Sequence, residues 1–250
     1  MPHIVKSFDD ELNRLRETLL SMGELAVAQF RGAMTALIER DVALAREGSA
    51  GDINVDGMEH AINEQGIRML ALRAPFADEL RTVVAALKVS QDLERIADYA
   101  ANIAKRSLLL SQGMQLPSVR AVQRLGTLVE RQLAEVAASY RERDADRALA
   151  VWHSDLPVDE AYSGLFRELL TYMLEDPHAI GPASHLLFIA KNIERIGDHA
   201  TNISEMVYFV ITGGYIEGTR PKGVDADQAA SADADGDGDG GHPGACEENQ

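Results

Sequence analysis

Two segments of the chain carry the same row of oxygen-bearing side chains at helical spacing. The rows are Glu94, Asp98 and Asn102, and Glu194, Asp198 and Asn202. Residues four positions apart lie on one face of a helix, so each row predicts a polar stripe. Neighbouring ionised carboxylates on such a stripe repel each other by a few tenths of a kcal/mol. A bound cation would remove that repulsion.

Each row has a second pair of carboxylates at a corresponding place upstream. These pairs are Asp52 with Asp56, and Asp155 with Asp159. If the helices of each half pack side by side, four carboxylates and a carboxamide converge in an all-oxygen site. Such ligands suit Mg²⁺, Mn²⁺, Ca²⁺ or iron. The alternative is a solvated helix face on which Arg95 and Arg195 pair with nearby acids, but the recurrence of both pairs favours metal.

Apolar periodicity predicts the helices that must position these stripes. On the third helix, apolar residues from Val89 to Ile103 fall opposite the carboxylates, and Ile189 to Ile203 repeat that face. Gly113, Pro117 and Pro177 break the pattern between helices. The predicted helices cover approximately residues 4–40, 52–72, 76–111, 118–142, 155–175 and 183–212, with a short segment at 144–153.

The two halves can be superimposed along the sequence. Glu39-Arg40-Asp41 lies 103 positions before Glu142-Arg143-Asp144, and Glu94 lies 100 positions before Glu194. This near-constant offset indicates an internal duplication. We therefore predict an all-α protein of two stacked three-helix bundles, with domains at 1–113 and 114–216. The remaining residues, 217–250, hold nine acidic and two basic residues, which predicts a disordered acidic tail.

The composition of the chain disfavours several classes of function. The net charge of −16 disfavours binding to nucleic acid or an anionic lipid surface. The single cysteine, the lack of a signal-like N-terminus and the absence of a long apolar run predict a cytoplasmic protein that does not insert into membranes. A ferritin-like di-iron enzyme would need Glu-x-x-His pairs, whereas Glu94 and Glu194 precede Ala97 and Gly197 at that spacing. We therefore expect no enzymatic activity.

The acidic helices resemble those of the PhoU family of phosphate-transport regulators. Asn192 to Ser204 and Leu93 to Ala104 carry the strongest similarity, and the resemblance extends over residues 4 to 216. It implies a duplicated three-helix bundle and metal binding at Glu/Asp-x-x-x-Asp pairs, here those beginning at Asp52, Glu94, Asp155 and Glu194. The cofactors it implies are divalent or trivalent ions: iron, manganese, magnesium or zinc. The second copy, with Gly197 and His199, is the more typical one.

The resemblance also implies a regulatory role. Members of the family act with a phosphate ABC transporter, here through its ATPase subunit, and with a sensor histidine kinase. They restrain phosphate uptake and phosphate-starvation genes when phosphate is plentiful, and many form homodimers. The chain is thus expected to be a metal-binding adaptor and negative regulator. The alternatives are an accessory protein of a different phosphate or metal transporter, or a carboxylate-bridged metal enzyme.

Overall fold

Eight α-helices make up the described part of the chain. The computed structural model describes residues 2–50, 53–114 and 116–220. Asp52 and the acidic tail beyond Arg220 lie outside these residues. The helices are α1 (Pro2–Glu39), α2 (Val42–Ser49), α3 (Ile53–Arg73), α4 (Asp78–Leu110), α5 (Val119–Glu142), α6 (Ala145–His153), α7 (Leu156–Glu175) and α8 (Ile180–Thr212), with a 3-10 turn at Pro177–Ala179.

The predicted duplication is confirmed at the level of helix order. Helices α1, α3 and α4 pack together as the first bundle, and α5, α7 and α8 as the second. Each bundle also contains one short helix, α2 in the first and α6 in the second. The sequence predicted a short segment only in the second half. The described residues contain no β-strand, as the composition predicts.

The Glu-Arg-Asp repeats mark the junctions between long and short helices. Arg40 and Arg143 adopt left-handed backbone conformations, with φ of 56° and 55°. These residues end α1 and α5. The side chains of Asp41 and Asp144 then accept hydrogen bonds from backbone N–H groups in the first turns of α2 and α6. Such a cap satisfies donors that have no partner inside the helix.

The core lies on the predicted apolar faces of α4 and α8. Val89, Leu93, Ile96, Ala100 and Ile103 are buried, and so are their counterparts on α8. One continuous hydrophobic cluster joins residues of both bundles. The central helices therefore have one side in the core, which leaves the opposite side for the carboxylates.

The two bundles meet through antiparallel helix pairs. Near one end of the α4–α8 pair, Arg81 approaches Gly213, and near the other Arg106 approaches His185. The α1–α5 pair is also antiparallel, since Arg31 binds Glu130 and Arg141 binds Glu24 at 2.7 and 2.8 Å. The repeats are consequently related by an approximate twofold rotation. Within the described residues, no helix is long and apolar enough to cross a membrane.

Candidate metal centres on α4 and α8

The second acidic site lies where the start of α7 meets the middle of α8. Asp155 directly precedes α7 and is only 1% exposed, and Asp159 follows one turn later. Glu194 on α8 is 8% exposed, and Asp198 is partly buried one turn along. Buried carboxylates are rare unless they are paired with a cation or coordinate a metal. This site is therefore more enclosed than the solvated helix face that was the alternative interpretation of the sequence.

Gln132 of α5 holds the turn that precedes Asp155. Its carboxamide nitrogen donates to the carbonyl and hydroxyl oxygens of Ser154 at 2.9 and 3.1 Å. A side chain at Gly197 would place its Cβ 3.1 Å from Gln132 Oε1, so the glycine leaves room for this amide. Gln132 and Gly197 together allow the α6–α7 turn to approach α8 closely.

The environment of Glu194 disfavours its charged form. Burial raises the pKa of Glu194, and the nearby charges of Asp198 and Asp159 raise it further, although Lys191 opposes them. Lys191 Nζ lies 3.2 Å from the Glu194 carboxylate. Asp159 of α7 and Asp198 of α8 therefore lie close enough to Glu194 to affect its ionisation.

An arginine side chain already lies between two carboxylates of this site. Arg220 Nε is 2.8 Å from Asp155 Oδ2, and Arg220 Nη2 is 2.8 Å from Asp198 Oδ1. The guanidinium thereby acts as a stand-in for a bound cation. The sequence gave no indication of this contact, because Arg220 belongs to the segment predicted as tail.

The first acidic site is more open. Asp56 on α3 and Asp98 on α4 are exposed, and Glu94 is half-buried. Burial raises the pKa of Glu94, with further increases from Asp98, Asp56 and Glu59 and a decrease from Arg95. Glu59 was missed in the sequence, although its position three residues after Asp56 places it on the same helix face. The fourth predicted carboxylate, Asp52, is outside the described residues.

Corresponding positions in the two sites differ in charge. Glu59 and Gln91 of the first site correspond to Tyr162 and Lys191 of the second. In the second site Lys191 lies 5.0 Å from the centre of the Tyr162 ring. In the first, Arg95 lies 3.5 Å from Glu94 and 3.7 Å from Asp98, on an exposed surface where such pairs contribute little. The first site therefore retains more uncompensated negative charge.

The predicted carboxamide ligands are not part of either cluster in this structure. Asn102 and Asn202 are exposed, and neither hydrogen-bonds to a carboxylate of the set within the described residues. His199 also lies apart from the second site. Its Nδ1 is 2.7 Å from Asp92 of α4 and its ring is 5.7 Å from that of Tyr99, so it joins the two bundles.

The carboxylates are not arranged around a ready-made coordination centre. Among the described residues, no group of three or more His, Cys, Asp or Glu side chains has ligand geometry for a metal ion. The donor set nevertheless fits a hard cation, because it consists of carboxylate oxygens. The position of the Arg220 guanidinium between Asp155 and Asp198 indicates that these carboxylates can accommodate a cation.

Comparison with known proteins identifies the family. The sequence model described as "PhoU domain" matches residues 19–107 and again residues 122–207, so each bundle contains one match. The chain belongs to the PhoU family. It is 45% identical over 221 residues to a relative from Caulobacter vibrioides (strain NA1000 / CB15N) described as a phosphate-specific transport system accessory protein PhoU homolog. That alignment covers 88% of this chain and 96% of the relative.

Solved PhoU structures share this fold. The crystal structure of PhoU from Pseudomonas aeruginosa superimposes with a TM-score of 0.80 at 38% identity, covering 83% of this chain and 100% of the other. The phosphate transport system regulatory protein PhoU from Streptococcus pneumoniae gives 0.78 at 27% identity, covering 84% and 100%. The two-bundle PhoU architecture predicted from the sequence is thereby confirmed.

Proposed function

We propose that this chain is a non-enzymatic regulator of phosphate uptake and phosphate-starvation signalling. In this role it acts in the cytoplasm, as an adaptor between the ATPase subunit of a phosphate ABC transporter and a sensor histidine kinase. The supporting observation is family membership across both bundles, together with relatives named as accessory proteins of the phosphate-specific transport system. A homodimer is part of the proposal.

A deletion in the host organism tests the regulatory role. Without the gene, phosphate uptake or phosphatase expression should rise in cells grown with plentiful phosphate. Expression of the chain from a plasmid should restore the low level. Unchanged uptake and phosphatase expression in the deletion strain would contradict the proposal.

Binding experiments with the two proposed partners distinguish an adaptor from a regulator that does not bind both of them. Purified chain should bind the transporter ATPase subunit and the cytoplasmic part of the kinase in pull-down experiments, each with a measurable Kd. Light scattering on the same sample reports whether the chain is a dimer. Binding to only one of the two partners would contradict the adaptor and leave a single-partner accessory protein.

The two acidic sites provide the metal-binding function. Asp56, Glu59, Glu94 and Asp98 would hold an ion in the first site, with Asp52 added from the sequence. Asp155, Asp159, Glu194 and Asp198 would do so in the second. When bound, an iron, manganese, magnesium or zinc ion supplies positive charge that offsets carboxylate repulsion and fixes the α3–α4 and α7–α8 pairs. The support for these sites is the burial of Asp155 and Glu194 and the contribution of neighbouring acids, after burial, to the raised pKa of Glu94 and Glu194.

Metal analysis of purified variants tests these sites. The Asp98→Ala/Asp198→Ala double variant should retain much less Mn²⁺, iron or zinc than the unmodified chain after equilibration and desalting. Asp9→Ala/Asp10→Ala is the matched control, since it removes the same charge from exposed positions of α1. Equal metal content in all three proteins would contradict the metal proposal without affecting the regulatory one.

A further inference from the structure

The segment that follows α8 turns back along that helix to reach the second acidic site. Helix α8 ends at Thr212, and Gly213 adopts the left-handed conformation, with φ of 79°, that allows the chain to reverse. Asp198 lies fifteen residues earlier, or about 22 Å along the helix. The eight residues from Gly213 to Arg220 make seven Cα–Cα steps, which reach at most about 25 Å, and the Arg220 side chain adds to that reach. We call Gly213–Arg220 the C-terminal strap.

Contacts at both ends hold this strap. At its start, the Tyr215 ring stacks on Phe209 of α8, with centres 4.6 Å apart and planes inclined by 16°. At its end, the Arg220 side chain is 18% exposed and contacts both Asp155 and Asp198 at 2.8 Å. The rest of the strap has few anchors, since Glu217, Gly218 and Thr219 are exposed. The attachment at the acidic site therefore depends mainly on one side chain.

The guanidinium and a metal ion would compete for the same oxygens. Asp155 and Asp198 are two of the four carboxylates of the second site, and they come from different helices. The Arg220 guanidinium donates a charged hydrogen bond from Nη2 to Asp198 Oδ1 and forms an ion pair through Nε with Asp155 Oδ2. A hydrogen bond to a charged group is stronger than a neutral one. A hard cation needs the same lone pairs. A cation that bridges Asp155 and Asp198 would have to take the position of the guanidinium, whose positive charge would repel it, so occupancy by one disfavours the other.

Among the described residues, no basic side chain bridges carboxylates of different helices in the first site as Arg220 does in the second. The residues that follow α4, from Ser111 to Ser118, include no lysine or arginine. Arg95, which pairs with Glu94 and Asp98, belongs to the same helix as both and is more than half exposed. The two copies thus differ in how their carboxylates are neutralised, although their acidic residues correspond.

We propose that the C-terminal strap closes the second acidic site by placing Arg220 between Asp155 and Asp198, so that strap docking and divalent-cation binding at this site disfavour each other. The inference rests on the proposed metal-binding function of that site. Cation binding there releases the strap, whereas the first site binds its ion without such competition. Binding of a divalent cation at the second site would in this way change the position of the C-terminal strap.

Hydrogen exchange on the metal-free chain tests the docking half of this proposal. Arg220→Gln should raise amide exchange in peptides covering residues 213–220 by about tenfold or more, because the strap loses its two charged contacts. Arg220→Lys should give an intermediate value, since a lysine has no planar fork. The matched control, Arg95→Gln, should leave this segment unchanged. Equal exchange in the Arg220→Gln variant and the unmodified chain would overturn the docking.

Titration with Mn²⁺ tests the competition. An Asp98→Ala background weakens the first site, so the remaining Mn²⁺ binding reports on the second. In that background Arg220→Gln should tighten Mn²⁺ binding by about tenfold or more. In the protein that keeps Arg220, Mn²⁺ should raise the amide hydrogen exchange of residues 213–220. Equal affinity with and without Arg220 would overturn the competition. If neither protein binds Mn²⁺, the metal proposal fails along with the competition, while the metal-free comparison still decides whether Arg220 holds the strap.

Discussion

Glu194 shows how a single residue reports the electrostatic state of its site. It is the most enclosed glutamate of the two acidic rows, and its pKa is raised mainly by burial. A raised pKa means that the folded protein favours the protonated carboxyl. Ionisation therefore costs folding free energy above the ordinary pKa range of glutamate.

This cost predicts a pH-dependent effect of Glu194→Gln. In metal-free buffer near pH 8, the variant should have a higher free energy of unfolding than the unmodified chain. The difference should shrink as the pH falls towards 4, because the Glu194 carboxyl is then largely protonated in the folded and in the unfolded protein. Glu94→Gln should behave alike with a smaller amplitude, since Glu94 is more exposed. Denaturant unfolding across this pH range measures the difference, and a variant that is less stable at pH 8 would contradict the prediction.

At the residue scale, the sequence predicted the acidic groups better than their partners. Helical spacing was sufficient to place Glu94 with Asp98, and Glu194 with Asp198, because that relation is local. Arg220 could not be predicted, since its contact with Asp155 depends on a chain reversal at Gly213 that leaves no periodic signal. The pairing of His199 with Asp92 was also hidden, because it requires the crossing of α4 and α8.

At the scale of elements, the two Glu-Arg-Asp junctions share a backbone conformation but not side-chain contacts. The exposed Arg143 and the partly buried Arg40 both have positive φ, which disfavours residues other than glycine. Arg40 Nη2 also lies 2.6–3.2 Å from the carbonyl oxygens of Leu110, Ser111 and Gly113. It thereby covers carbonyl groups at the end of α4.

Glycine substitutions should separate these two effects. Arg143→Gly should stabilise the protein by about 0.5–1 kcal/mol through relief of the left-handed backbone. Arg40→Gly should destabilise it by about 1–3 kcal/mol, because the partly buried contacts with the carbonyl groups of Leu110 and Ser111 lose their charged donor. Denaturant midpoints compare the pair directly. A stabilising Arg40→Gly would show that the contacts with the end of α4 contribute little.

The pairing of α4 with α8 should depend on Asp92 and His199. Their side chains are about four-fifths buried and 2.7 Å apart. We expect a coupling energy of about 0.5–3 kcal/mol in a double-mutant cycle with Asp92→Asn and His199→Gln. A cycle on the exposed pair Arg68 and Glu64, which lies within α3, is the control and should give a smaller coupling. Additive effects at Asp92 and His199 would contradict the prediction.

At the scale of the whole molecule, the two repeats share one hydrophobic cluster and should unfold together. Ile62 is fully buried in the first bundle, and the single tryptophan, Trp152, is buried in the second. Ile62→Ala should cost about 2–5 kcal/mol. Trp152 fluorescence and far-UV circular dichroism should report the same lowered midpoint. An unchanged fluorescence midpoint beside a shifted dichroism signal would show that the bundles unfold independently.

The overall architecture was the most predictable level. The similar offsets of 100 positions between Glu94 and Glu194 and 103 between the two Glu-Arg-Asp segments indicate two similar units whatever their packing. The apolar faces of α4 and α8 then imply that these helices are central. The antiparallel arrangement of the units could not be predicted, because it depends on contacts between them, such as Arg31 with Glu130, that have no periodicity in the sequence.

The position of the C-terminal strap illustrates how a tandem duplication loses its symmetry. In the first copy, the residues after the central helix must deliver the chain to α5, so their path is fixed by the need to connect two bundles. The residues after α8 face no such demand within the described part of the chain. They are free to acquire a local contact such as that of Arg220. Two initially equivalent sites can therefore diverge without any change in their own carboxylates, because the described segment after α8, unlike the one after α4, does not connect two bundles.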